Sequence, residues 1–342
     1  MLSLLIAPLV ASAQTNPALL RFVHPDAKAL ISIDWKRLRQ SHLGTMIRQK
    51  WVDGSGIPGT ELLNDIDRVV ISSPGKNDAD ASPEDAPLLI VVGGRFDLAK
   101  VREILLAQGA KPQKFNNIEV YRPQGKTSKE MAFVLLDAQT ILIGDPRSIF
   151  GCLERSAFPT PAPGPNSLLA RAAQIDTNYD VWALMTTPNV LASDRLMAML
   201  TSSEVGSEAH GFQIGLSLRD GFTIDTTMTL QSEGAAKRMA SELSKMLKLT
   251  IKDKLGEPTM LDMEKKLKVG SEGAVVKIAM HMTQQELDKN AQIFAVSQKK
   301  PAAPVAVVHP QVVPPPPIPA EKKVIRIEGL DEGTREIPYR QQ

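Results

Sequence analysis

Three segments of this chain carry the pattern of tight antiparallel β-hairpins, and that feature restricts its possible folds most strongly. In "MAFVLLDAQTILIG" two apolar runs flank a turn near Asp137-Ala138-Gln139, and in "HGFQIGLSLRDGFTIDTTMTLQS" the turn lies at Arg219-Asp220-Gly221. The third is "LKVGSEGAVVKIAMHM". Short turns join antiparallel strands, whereas parallel strands need a long crossover. The pattern disfavours a Rossmann fold, whose Gly-x-Gly-x-x-Gly fingerprint is also missing.

Helical patterns separate the predicted hairpins. In "PLLIVVGGRFDLAKVREILLAQG" a buried strand is followed by a Gly-Gly turn, and Asp97 is placed to cap a helix that ends at Gly109. Asp34 and Asp145 also precede helical patterns, so each has a structural role as a cap. In the predicted helix after Asp97, one face carries the apolar positions Leu98, Val101, Ile104 and Leu105.

The order of predicted elements occurs twice. Each half is predicted as strand, helix, hairpin, helix, hairpin, helix, so we expect an α+β fold of two similar halves. The sheets are expected to be largely antiparallel, with the helices packed on one face. The predicted domains are a first α+β repeat at 20–157, a Pro-rich linker at 158–167 and a second repeat at 168–298.

The N-terminal segment 1–13, "MLSLLIAPLVASA", is predicted to be a signal peptide. It is apolar and ends in the small-x-small pattern Ala11-Ser12-Ala13 that a signal peptidase accepts. The run is too short to span a bilayer. We therefore expect an exported protein, periplasmic or extracellular, with no stable membrane insertion after cleavage. Cys152 is the only cysteine, which excludes an internal disulfide and indicates a buried, inert thiol.

The C-terminal region is predicted to be a Pro-rich disordered linker at 299–322 followed by a strand or hairpin motif at 323–342. Ile325 and Ile327 fall on one side of a predicted strand, and a return strand could reach Ile337. These three residues form a possible partner-binding strand, since an isolated two-stranded hairpin is marginally stable in water. Docking on its own body and plain disorder remain alternatives.

Composition excludes several kinds of function. The chain has 40 basic and 38 acidic residues, a net charge of +2, and only 4% aromatic residues, so nucleic acid is not an expected partner.

Two short motifs were considered as candidate sites. Met280 and Met282 of "MHM" are expected to be core residues rather than metal ligands. Ser73 and Lys76 have the spacing of penicillin-binding enzymes but no following helix pattern. We therefore predict no catalytic residues, no cofactor and no metal.

The segments "ALISIDWKRLRQS", "GGRFD", "ILIGDP" and "IRIEGLDEGTREIP" together resemble uncharacterised bacterial exported proteins that have a duplicated α+β body and a Pro-rich tail. The resemblance covers 27–294 and the tail, and implies no activity. The sequence thus favours an exported, non-enzymatic binding or scaffolding protein of the cell envelope. Two alternatives remain: a hydrolase with a site in the cleft between the halves, and a carrier of an apolar ligand.

Overall fold

The computed structural model describes residues 17–42, 44–45, 60–75, 86–124, 131–158, 164, 167–186, 209–254, 266–288, 324–327 and 335–338. For residue 17, residues 248–254 and the two C-terminal segments, only the backbone is described. The predicted signal peptide and Pro-rich 299–322 segment lie outside these residues, as does most of the predicted 158–167 linker. The chain divides into two units, Met1–Phe294 and Ala295–Gln342, which are described separately.

The first part of the large unit runs from α1 to α4. Its elements, in chain order, are α1 (Pro17–Leu20), β1 (Ala29–Ile33), α2 (Trp35–Gln40), a 3-10 helix (Thr60–Asn64), β2 (Ile66–Ser73), β3 (Leu89–Gly94), α3 (Leu98–Ala107), β4 (Lys111–Phe115), β5 (Ile118–Arg122), β6 (Ala132–Asp137), β7 (Thr140–Gly144) and α4 (Pro146–Ser156). Asp34, Asp97 and Asp145 cap α2, α3 and α4 as predicted, since each carboxylate accepts hydrogen bonds from the first turn.

The remaining elements of the large unit include two more of the predicted hairpins. They are α5 (Leu168–Ile175), β8 (Val181–Met185), β9 (Ala209–Ser217), β10 (Phe222–Leu230), α6 (Glu233–Lys254), β11 (Lys268–Glu272) and β12 (Val275–Met282). Residues 284–288 are helical, and Thr283 caps them through a reciprocal pair of hydrogen bonds with Glu286. The small unit contains β13 (Val324–Ile327) and β14 (Arg335–Pro338), which pair with each other.

Twelve strands form one sheet in the order β11-β12-β10-β9-β8-β1-β2-β3-β7-β6-β5-β4, and every neighbouring pair is antiparallel. The α+β class and the antiparallel pairing are therefore as predicted. The strand pair β1–β8 lies at the centre, with Ile31 opposite Ala183. We call β1 to β7 the first half of the sheet and β8 to β12 the second half.

The strand order is the same when each half is followed outward from the centre. The first half runs β1-β2-β3-β7-β6 and the second runs β8-β9-β10-β12-β11, with the β4–β5 hairpin added to the first. Backbone hydrogen bonds at the centre also correspond. Lys28 N–H donates to the Ser73 carbonyl at 2.8 Å, and Asp180 N–H donates to the Leu216 carbonyl at 2.8 Å. The strand registers therefore match positions of β1, β2, β3, β7 and β6 with counterparts in β8, β9, β10, β12 and β11.

The helices pack on both faces of the sheet, so the predicted packing on one face is wrong. Successive residues of a strand point to opposite faces. Val91 belongs to the cluster with α4 and α5, which defines face A, whereas Val92 belongs to the cluster with α3, which defines face B. Helix α6 packs on face B against Phe212 and its neighbours. The error arises because β3 is apolar on both sides, which helices must cover on each.

Candidate functional site

An apolar cavity of about 210 Å³ lies on face B, between α3 and the first half of the sheet. It opens at the surface. All but one of the lining residues are apolar; the exception is Gln108, just beyond the end of α3. The lining residues are Leu62, Ile66, Val92, Phe96, Val101, Ile104, Leu105, Gln108, Phe133, Leu135, Ile141 and Ile143.

Local sequence determines where α3, which covers this cavity, begins and ends. Asp97 accepts hydrogen bonds from the backbone N–H groups of Ala99 and Lys100, which fixes the start of the helix. Gly109 has φ +81° and ends it, as predicted, because a left-handed residue there favours glycine. Val101 and Leu105 are buried against the sheet. The helix therefore presents the apolar face that its periodicity predicted.

A second cavity, of about 310 Å³, lies on the sheet surface of the second half and is lined by both polar and apolar residues. Most of its polar side chains pair with one another or with adjacent residues. Thr223 Oγ1 is 2.9 Å from His281 Nδ1, and Tyr179 donates to Asp225 at 3.3 Å. Lys266 binds Glu286, whose pKa is lowered to about 2 by hydrogen bonds from Lys266 and Thr283. Most polar side chains of this cavity therefore already have hydrogen-bond or ion-pair partners within the protein.

A buried chain of hydrogen bonds on face A joins Ser72, His24, Ser148 and Asp145. The side chains of Ser72 and Ser148 each lie 2.9 Å from a ring nitrogen of His24, Nδ1 and Nε2 respectively. Ser148 donates to Asp145 at 2.7 Å, and Ser72 accepts the His24 backbone N–H. Because Ser148 gives its one hydroxyl proton to Asp145, its oxygen accepts from Nε2–H of His24, and Ser72 can then donate to Nδ1. These hydrogen bonds suit a neutral imidazole.

Electrostatics agree with a neutral His24. Burial, followed by the positive charge of Arg155, lowers the pKa of His24. Burial alone would raise the pKa of Asp145, but hydrogen bonds from Ser148 and from the Leu88 backbone outweigh it and lower that pKa. The order hydroxyl, imidazole, orienting group is that of an activated nucleophile. Ser72, His24 and Ser148 are all buried in the core, however, where a substrate would not reach them.

A cluster of charged side chains links the two halves of the sheet near the β1–β8 pair. Arg68 binds Asp34 at 3.0 Å and Asp176 at 2.5 Å, and Trp182 Nε1 donates to Asp176 at 2.7 Å. Asp180 is bound by Arg37 and Arg219. Each carboxylate in this cluster therefore has an arginine partner, which is what a buried charge requires.

The remaining sequence predictions on chemistry can be placed in the fold. Cys152 is buried in α4, and burial raises the pKa of its thiol to about 11, as expected of an inert residue. Met282 is buried and His281 is exposed, which agrees with their predicted alternation along the strand. No group of three or more potential metal ligands occurs among the described residues. Lys76 lies outside them.

The predicted partner-binding residues fall in the small unit. The register of β13 and β14 places Ile325 opposite Ile337 and Ile327 opposite Arg335. The strands thus occur where the sequence indicated, and the role of these residues stays a prediction. Of the helices in the described ranges, none has the length and apolar character needed to cross a membrane.

Sequence reasoning missed the two buried polar groupings on face A. His24 is 48 residues from Ser72 and 124 residues from Ser148, and Arg68 is 108 residues from Asp176. No local motif spans such separations. Asp34 and Asp145 were assigned only as helix caps, but each also binds a distant group. Comparison of the chain with family models, with curated proteins and with solved structures gives no match.

Proposed function

We propose that this chain is an exported, non-enzymatic binding protein of the bacterial cell envelope, and that it binds a small apolar group in the cavity beneath α3. The observation that carries the proposal is an open cavity of about 210 Å³ with an almost wholly apolar lining. Ligand sites are typically concave and mainly apolar, with few polar groups. An engineered apolar cavity of about 150 Å³ binds benzene, so this one has room for a single aromatic ring.

Titration with benzene tests this site, followed by melting temperature and by the NMR methyl signals of the lining residues. The variant Ile104→Trp should fill the cavity and abolish the benzene-dependent shifts. Leu106→Trp is the matched control, because Leu106 lies on the same helix, is 46% exposed and does not line the cavity. A wild-type protein that shows no shift, or equal shifts in both variants, would refute the site.

A second binding role is proposed for the hairpin of β13 and β14. It belongs to the separate unit Ala295–Gln342, and a two-stranded hairpin gains little stability by itself. Ile325, Ile327 and Ile337 would supply its apolar contacts to a protein partner. Deleting 299–342 should leave the melting temperature of the body unchanged. A lower melting temperature would indicate instead that the body itself binds the hairpin.

The proposed body is a duplicated unit, with repeats at 20–157 and 168–298. The equal strand order on either side of β1–β8 and the matching backbone hydrogen bonds of Lys28 and Asp180 support duplication. An experimental structure in which the two ranges do not superpose strand for strand would contradict it.

A hydrolase with a site between the halves is the less favoured alternative. The halves meet through a hydrogen-bonded strand pair, and the carboxylates beside it are bound by arginines. Among the described residues, the feature that favours hydrolysis is the pairing of Ser72 with His24, and both residues are buried. Labelling of Ser72 by a fluorophosphonate probe in the native protein would revive this alternative.

A further inference from the structure

The two edges of the twelve-stranded sheet differ in how they are protected. The edge strand β4 carries Pro112, which has no N–H to donate, and two lysines, Lys111 and Lys114. Proline on an edge strand discourages pairing with another chain, and so do lysines that no acidic residue can face. The opposite edge strand, β11, has the sequence "KVGSE" and no proline, and all of it is exposed except the half-buried Val269. Within the described ranges, no strand pairs with its outer side.

The sequence of β11 is complementary to itself in the antiparallel direction. If two copies pair about Gly270, Lys268 lies opposite Glu272 at both ends of the ladder and Val269 lies opposite Ser271. Opposite charges directly across an antiparallel pair are favourable, and like charges are unfavourable. We propose that β11 is a homodimer interface, through which the sheet continues from one copy of this chain into the second.

The charges select this arrangement over its competitors. Parallel pairing in register would place lysine opposite lysine, and a shift of one residue would send the charged side chains to opposite faces. Pairing β11 with β4 of the next copy would be head-to-tail and open-ended, and Pro112 opposes it. The two-fold β11 pair closes after two copies.

The ion pairs formed by the described residues are compatible with a further pair between Lys268 and Glu272 of the second copy. The ammonium group of Lys268 has no ion-pair partner in the described part of the chain. Lys277 of β12 binds Glu272, and the register places Lys277 opposite Gly270, one diagonal step from both 268 and 272. Lys268 of the second copy would therefore join Glu272 beside Lys277. This interface is independent of the proposed apolar site, which lies in the other half of the sheet.

A cysteine at the two-fold axis tests the register directly. A Cβ at Gly270 would meet no atom within 4 Å, so Gly270→Cys is accommodated. Directly opposed residues have Cα atoms about 4.5–5.5 Å apart, within the range for a disulfide. Under mild oxidation, the full-length variant should form a covalent dimer. Ser271→Cys is the matched control, since residue 271 faces residue 269 of the second copy and should not cross-link to itself.

A charge exchange tests the same interface without oxidation. Analytical ultracentrifugation of the full chain over a hundredfold range of concentration should show reversible dimers. Lys268→Glu should weaken dimerisation about tenfold or more, because two like-charged pairs replace two favourable ones. The double variant Lys268→Glu/Glu272→Lys should restore it, with Lys277 then adjacent to Glu at 268. A monomeric wild type, or no recovery in the double variant, would overturn the proposal.

Discussion

Face A is apolar on β3, β7 and β6 of the first half and largely polar on the corresponding strands β10, β12 and β11 of the second, although the strand registers place the residues in corresponding positions. The counterparts of Leu89, Val91, Leu142 and Ala132 are Asp225, Thr227, Lys277 and Lys268. On face B, by contrast, Val92 and its counterpart Met228 are both apolar and buried. The contrast therefore does not arise from strand order, which the two halves share.

The helices on each face explain the difference. In the first half α4 buries Ile149, Cys152 and Leu153 against face A, so every side chain beneath it must be apolar or fully hydrogen-bonded. In the second half, Lys277 and Lys268 are exposed and Thr227 is half-buried. A polar residue without hydrogen-bond partners inside the protein is therefore tolerated at a given register only where no apolar helix covers it. Exchanges between corresponding positions test this directly.

The largest effect is expected when Leu89 receives the side chain of its counterpart. Leu89 has 0% exposure, so Leu89→Asp would bury an unpaired carboxylate and cost more than about 4 kcal/mol of the free energy of unfolding. The reverse exchange, Asp225→Leu, loses only the 3.3 Å bond from Tyr179 and should cost about 1 kcal/mol or less. Urea denaturation measures both. Equal losses in the free energy of unfolding would show that burial beneath the helices does not distinguish the two positions.

The loss of stability on removing one partner of an ion pair should likewise depend on whether the pair is buried. Arg68 is 17% exposed, and Asp176, which it binds, is 3% exposed, so Arg68→Met leaves a buried carboxylate at a cost of about 3–5 kcal/mol. Lys277→Met breaks the pair with Glu272 on the open surface and should not move the denaturation midpoint measurably. A small effect of Arg68→Met would mean that water reaches the cluster between the halves.

A smaller effect is expected from exchanging a methyl group for a hydroxyl. Val91 is fully buried, and Val91→Thr would bury a hydroxyl with no partner, at a cost of about 1–3 kcal/mol. Thr227→Val at the corresponding position should change the free energy of unfolding by less than about 0.5 kcal/mol. The test compares the urea midpoints of the two variants. Equal midpoints would contradict the explanation that α4 makes the first half intolerant of polar residues on face A.

The sequence predicts the elements of this fold better than their assembly. Hairpin turns and helix caps are encoded locally, so the strands β6, β7, β9 and β10 and the caps Asp34, Asp97 and Asp145 could be identified from a few residues each. Strand β4 was missed because "KPQKF" combines proline with charge, which suits an edge strand but lacks the usual alternation. Helix α5 was missed too, beside a Pro-rich segment that suggested only a linker.

The candidate site shows the same limit. The apolar face of α3 was evident from its period, but the cavity also depends on the 3-10 helix and on β2, β3, β6 and β7, which the helix meets only after folding. The packing of helices on both faces was also mispredicted, because periodicity states that a face is apolar without stating which side of the sheet it covers. Long-range pairs such as His24 with Ser148 leave no local pattern at all.

The smallest effect concerns pH and the buried histidine of face A. Burial and the charge of Arg155 lower the pKa of His24 from its ordinary value of 6.5, so the unfolded chain binds this proton more readily than the folded protein does. The contribution of His24 to stability is therefore complete above pH 6.5, falls as the pH drops below that value, and levels off beneath the folded pKa. Urea denaturation between about pH 5 and 8 measures the slope. His24→Gln should remove it, whereas His281→Gln, at an exposed position of the second half, leaves His24 intact and should keep it. A slope that persists in His24→Gln would show that other groups set the pH dependence, and that the covered face is no more sensitive to protonation than the open one.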